Sequence, residues 1–116
     1  MRIWVNGTFD VLHIGHLRLL QYANSFGDVR VGIDKDIRVK ELKGDDRPIN
    51  NWFDRIEMMR SIKYVDSVVG FSTDEELRNE IKKWVLNLMI LFTQVQIPKK
   101  LLTLVVLVIL SPRHLF

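Results

Sequence analysis

The sequence contains no cysteine. Disulfide staples, thiol nucleophiles and thiolate zinc sites are therefore excluded, and the absence accords with a reducing compartment. Acidic residues stop at Glu80 and glycines at Gly70. Residues 1–80 carry 12 Lys/Arg against 14 Asp/Glu, a net of −2, whereas residues 81–116 carry 5 Lys/Arg and no acid. The last third of the chain is different material from the rest. No apolar run reaches the roughly 20 residues of a membrane-spanning helix, and Leu101–Leu110 supplies about half of that. Arg2, Asn6 and Asp10 interrupt the first twelve residues, so they form no signal-peptide core. A net charge of +3 is too small to argue for nucleic acid. Neither a nucleic-acid nor a membrane partner is expected, and the location expected is cytoplasmic.

What is there is an ordinary globular composition, 47% apolar and 27% charged over 116 residues, enough for one core. Ile3-Trp4-Val5 predicts a buried strand that ends in a turn at Asn6-Gly7. Leu19, Leu20, Ala23 and Phe26 recur at helical spacing, and Gly27 closes that helix. Val29, Val31 and Ile33 predict a second strand. Residues 34–50 read as a long polar loop with Gly44 and Pro48. A helix from about Asn51 to Lys63 follows, with Trp52, Ile56, Met59 and Ile62 on one stripe and Asn50 or Asn51 as its cap. Asp66–Phe71 predicts a third strand, and Thr73 to Glu76 is a capping-box pattern that opens a helix to about Lys83. Leu86–Phe92 and Thr103–Leu110 are expected as further strands. The alternation predicts an α/β fold, a doubly wound parallel sheet with helices on both faces. Its site should lie in the loops at the carboxyl ends of the strands.

One segment carries chemistry: Gly7-Thr8-Phe9-Asp10-Val11-Leu12-His13-Ile14-Gly15-His16. It joins the first strand to the first helix, where unpaired N–H groups and the positive end of the helix dipole meet, a ready anion site. Gly7 allows a tight turn and close approach of a phosphate, and Gly15 removes a side chain at the first turn. His13 and His16, three apart, can turn to the same anion. Phosphate binding ranks first for this pair, a purely structural role second and a metal third, because a third metal ligand is missing.

The same segment resembles the Gly-Thr-Phe-Asp-x-x-His-x-Gly-His signature of cytidylyltransferase-like nucleotidyltransferases, a family that includes glycerol-3-phosphate cytidylyltransferase and heptose-phosphate adenylyltransferase domains. Ser25-Phe26-Gly27-Asp28 is similar to the family's Leu-Gly-Asp turn. Lys40 to Asn50, with Arg55 beyond, resembles its Lys-x-x-Lys-Gly-x-x-Arg-Pro-x-Asn…Arg stretch, best known in the heptose-phosphate members. Tyr64-Val65-Asp66 matches the Val-Asp before the third strand. The likeness covers residues 1–83 and implies a Rossmann-like fold of the His-x-Gly-His type. It also implies transfer of CMP or AMP from CTP or ATP to a small phosphorylated alcohol or sugar, with release of pyrophosphate. CTP ranks ahead of ATP on the signature.

By that resemblance His13, His16, Lys43 and Arg55 are the catalytic candidates. Gly7, Thr8, Phe9, Asp10, Gly15, Lys40, Arg47 and Arg113 are the nucleotide-binding ones, with Asp10 bracing its loop. No metal-ligand cluster is visible. Magnesium is expected with the triphosphate, and no organic cofactor is expected. Family members are often dimers, and the sequence neither supports nor opposes a homodimer. Arg38, Arg60 and Arg78 read as solvated surface charges, and Trp52 as a core residue.

The pattern breaks after about Lys83. The Gly-x-Asp-like turn after the fourth strand is missing, and Val108 to Arg113 resembles only the beginning of the family's Arg…Ser-Thr-Thr stretch. Residues 1–83 are thus expected as the core and 84–116 as an atypical apolar tail, either truncated or frameshifted. A frameshift is preferred, because acids and glycines vanish together. A catalytically impaired, nucleotide-binding remnant that serves as a partner or regulatory subunit is the alternative function.

Overall fold

The computed structural model describes residues 2–84 and the backbone of residues 89–93 and 106–110. The elements are β1 (Arg2–Gly7), α1 (Ile14–Asn24), β2 (Asp28–Asp34), α2 (Asp36–Lys43), α3 (Trp52–Arg60), β3 (Ser67–Phe71), α4 (Asp74–Trp84), β4 (Met89–Thr93) and β5 (Val106–Leu110). They build a sheet of order β3-β2-β1-β4-β5. β1 pairs in parallel with β2 and β4, and β2 pairs in parallel with β3. β5 runs antiparallel to β4, unlike the all-parallel sheet the alternation predicts.

The central strand explains the layers. Ile3, Trp4 and Val5 are all fully buried, as expected of a parallel strand covered on both faces. Ile3 and Val5 point with Val29, Val31 and Ile33 into a core closed by Leu20 and Ala23 of α1 and Met59 of α3. Trp4 points the other way, to Ile81, Leu77 and Trp84 of α4. Two glycines make room for tryptophans on these faces. A Cβ at Gly32 would lie 2.3 Å from the Trp4 ring, and one at Gly70 would lie 2.1 Å from the Trp52 ring. Trp52 thus packs against the core, as its stripe predicts.

Residues 34–50 are not a single loop, because α2 forms within them. Asp36 stands in its first turn and Lys40 and Lys43 in its last, the charge order that favours a helix dipole. Val39 alone is buried, so the apolar period is too weak to mark the helix in the sequence. Its hold on the fold is ionic: Arg38 pairs with Asp34 and Asp74, each at 2.8 Å, and lies over the Phe71 ring. Arg38 is therefore not a solvated surface charge. Gly44, at φ 105°, ends the helix.

Strand order turns back at β1, with β2 and β3 on one side and β4 on the other. The crevice beyond the carboxyl ends of β1 and β4 is where such sheets take ligands, and the signature loop rises from it.

Candidate active site

The turn between β1 and α1 is built by Phe9 rather than by Gly7. Phe9 has φ 49°, in the left-handed region that costs a non-glycine residue about 1–3 kcal/mol, while the positive-φ glycines are Gly27 and Gly44. The strain is held in place by burial: Phe9 is 3% exposed, and its ring meets His16 edge-on at 5.2 Å. Gly7 is the last residue of β1, and Gly15 lies in the first turn of α1.

His13 and His16 cap α1 reciprocally. His13 Nδ1 accepts the Gly15 N–H at 3.0 Å, and His16 Nδ1 accepts the His13 N–H at 3.1 Å. The rings stack with centroids 3.8 Å apart. A nitrogen that accepts carries no proton, so each neutral imidazole has its proton on Nε2. Both rings thereby become donors at the far nitrogen. No acid stands in the first turn of α1 to neutralise its positive end. Polarity and placement suit an anion with oxygens to be shared among several donors.

Asp10 braces not its own turn but the loop before α3. Its two oxygens accept the N–H groups of Ile49 and Asn50, each at 2.7 Å, and the Asn50 side chain returns a bond to the Asp10 carbonyl. Arg47 stands 3.9 Å from the same carboxylate. Thr8 donates its hydroxyl to Asp34 at 3.1 Å. Lys40 and Lys43 are exposed on α2 and, among the described residues, have no ion-pair partner.

Arg55 is 1% exposed. Its guanidinium donates to the carbonyls of Asn50, Thr8 and Asp34 and to the Asp36 carboxylate, at 2.6–2.9 Å. It ties together the signature loop, the end of β2, the start of α2 and the approach to α3. Asp34, Asp36 and Asn50 enter the site through these bonds. Sequence reasoning missed the two acids, because the bonds that bring them to the site reach Thr8 and Arg55, 26 and 19 residues away. Arg113 and His114 lie outside the described residues.

A cavity of about 460 Å³ opens between Phe9, Asp10 and Leu12 of the signature segment, Asn50, and the α3 residues Asp54, Arg55, Glu57 and Met58. The histidines do not line it; three carboxylates do, beside Arg55, whose guanidinium is committed to three carbonyls and Asp36. Arg38 holds the Asp74 carboxyl below its ordinary value by hydrogen bond and charge. Burial opposes the charge of Arg38, but Asp74 and Asp34 outweigh it and hold the guanidinium above its ordinary value.

Among the described residues, no helix is long and apolar enough to cross a membrane. Over 73 residues the chain is 52% identical to the Bifunctional protein HldE of a Nitratiruptor species, a match covering 62% of this chain and 16% of that protein. It is 47% identical over 87 residues to the Bifunctional protein HldE of Aliarcobacter butzleri, covering 72% of this chain and 18% of that protein. The chain thus spans less than a fifth of the length of these relatives. Its fold is similar to the crystal structure of the lipopolysaccharide core biosynthesis protein from Thermoplasma volcanium, with a TM-score of 0.61 and 25% identity over 71% of this chain and 68% of that one. A family model described as Cytidylyltransferase-like matches residues 4–110, and with the signature loop in place at the sheet's switch point the chain belongs to that family.

Proposed function

We propose that the chain moves the nucleoside monophosphate of ATP, or of CTP, onto a phosphorylated sugar, with release of pyrophosphate. The observation that carries this reading is the histidine pair: two stacked imidazoles, each accepting a backbone N–H on Nδ1, at the start of a helix with no acid in its first turn.

In this reaction an oxygen of the acceptor phosphate attacks the α-phosphorus in line. The new P–O bond forms as the bond to the bridging oxygen breaks, and the electron pair leaves on pyrophosphate. The charge that develops around phosphorus is met by the Nε2–H donors and the helix N-terminus, and fixed donors of this kind supply most of the acceleration. Lys40, Lys43 and Arg47 offset the remaining phosphate charge, and Lys43 is mobile enough to follow the leaving group. Arg55 spends its bonds on the loops, so in this mechanism it holds the site together. Magnesium is expected on the triphosphate. Among the described residues no three His, Asp or Glu side chains converge to hold a cation, so its ligands would be phosphate oxygens and water.

The signature alone ranks CTP first. The Lys40–Asn50 stretch, which resembles the heptose-phosphate members, and the HldE relatives at 47–52% identity support ATP ahead of it, and a sugar phosphate ahead of a simple alcohol phosphate. Pyrophosphate release tests this, with ATP or CTP and a panel of heptose, hexose and glycerol phosphates. Release with ATP and a sugar phosphate is expected. Nucleotide binding without release under every pairing would replace this reading with that of a binding remnant.

A further inference from the structure

Asp34 ends β2 beside the signature loop and is 8% exposed. Its two carboxylate oxygens have separate partners. Oδ2 accepts the Thr8 hydroxyl at 3.1 Å, and Oδ1 accepts Arg38 Nε at 2.8 Å. Arg38 in turn donates through Nη2 to Asp74 at 2.8 Å, so its guanidinium is held away from Thr8. The Asp34 carbonyl accepts from Arg55, which also holds the Thr8 carbonyl at 2.9 Å. The backbone on both sides of the Thr8–Asp34 bond is thus fixed by one buried guanidinium.

This arrangement sets the direction of a proton. As the ion-pair partner of Arg38, Asp34 is a carboxylate, and a carboxylate only accepts. The single hydroxyl proton of Thr8 therefore points at Asp34, and what Thr8 offers elsewhere is lone pairs. A phosphate oxygen meeting those lone pairs would find no donor. The donors of the site are the two Nε2–H groups and the helix N-terminus, on the histidine side of the loop.

We propose that Asp34 is a positioning residue: it fixes the Thr8 hydroxyl as an acceptor, so that Thr8 takes a hydroxyl or amino hydrogen of the nucleotide and leaves the phosphates to the histidines. This rests on the nucleotidyltransferase reading above, in which Thr8 lines the nucleotide site. Arg38 and Asp74 complete the device by balancing the carboxylate and keeping the balancing charge in place.

Asp34→Asn tests it with almost no change of shape. The amide oxygen keeps the bond to Arg38, and the amide N–H donates to Thr8, which reverses the polarity of the hydroxyl. Calorimetric titration of ATP into the full chain and pyrophosphate-release kinetics are the readouts. Asp34→Asn should raise both Kd and KM for ATP about tenfold, the scale of one hydrogen bond to a ligand, with kcat within about twofold of wild type. Thr8→Val should raise Kd by a similar factor, and Thr8→Ser, which keeps the hydroxyl, should recover that loss. The double variant Thr8→Val/Asp34→Asn should be no weaker than Thr8→Val alone, as for two residues that act through one contact.

Unchanged ATP affinity in Asp34→Asn, or full additivity in the double variant, overturns the proposal. Should Asp34→Asn fail to fold, the Thr8 variants decide, and equal affinities for Thr8→Val and Thr8→Ser overturn it. A wild-type chain that binds neither ATP nor CTP removes the nucleotidyltransferase reading and this proposal together. A wild-type chain that turns over while Asp34→Asn matches it in every constant removes only this proposal.

Discussion

The carboxylate of Asp10 accepts the backbone N–H of Asn50 at 2.7 Å, and the Asn50 side chain returns a bond to the Asp10 carbonyl. Two segments forty residues apart in the chain are locked as one piece. The second oxygen of Asp10 holds the Ile49 N–H at the same distance, and the side chain is only 10% exposed. Asp10→Ala leaves two N–H groups without their charged acceptor and should cost about 2 kcal/mol of stability. Urea unfolding measures it. A cost below about 0.5 kcal/mol would mean that water replaces the carboxylate without loss.

The histidine cap separates into two tasks by substitution. His13→Asn keeps a strong N-cap acceptor and removes the distal ring nitrogen. It should stay within about 0.5 kcal/mol of wild type in urea, while turnover falls by about 10²-fold, the size of losing one donor to transition-state charge. His13→Ala should lose turnover to the same degree and about 1 kcal/mol of stability as well. Equal turnover in His13→Asn and wild type would remove the imidazole from the chemistry.

Arg55 makes a harsher prediction. Its removal leaves three carbonyls and the partly exposed Asp36 carboxylate without their donor. Arg55→Met should cost about 2–3 kcal/mol, the scale of leaving buried carbonyl acceptors without a charged donor. Arg55→Lys should recover little of it, because a point charge cannot match a planar fork with four fixed partners. Thermal unfolding of the three proteins side by side reads this out, and recovery by lysine would argue that charge alone matters at this position.

The Arg38–Asp74 pair gives a pH signature. Arg38 lowers the pKa of Asp74, so the stability the pair adds is present above the ordinary carboxylate range. It is lost as the pH falls through the lowered value. Asp74→Asn should therefore be less stable than wild type at neutral pH, and the two should converge in strong acid, well below about pH 4. Asp74 is 69% exposed, so the neutral-pH gap should also shrink in about 1 M salt. Denaturant titrations at the two pH values and two salt concentrations check both statements.

Much of this was legible in the sequence, for a local reason. β1, α1, β2, α3, β3 and α4 announce themselves through apolar spacing, the Asn51 cap and the Thr73 box, all of which act within a few residues. The signature at residues 7–16 announces the candidate site in the same way. What stayed hidden depends on contacts between distant residues. α2 has one buried side chain and is held by an ion pair to Asp74, 36 residues on from Arg38. Arg55 shows in the sequence as a cation suited to phosphate, yet its bonds reach the carbonyl of Thr8, 47 residues back. Asp34 shows as nothing at all, since a single acid closing an apolar strand carries no period. Gly70 reads as an ordinary strand glycine until the Trp52 ring is seen filling the space of its missing side chain.

Under the proposed function, the reciprocal histidine cap ties folding and turnover to the same two side chains. The nitrogens that start α1 belong to the same two rings that the proposed reaction would use. Drift at either position is answered twice over, once in the thermometer and once in the assay.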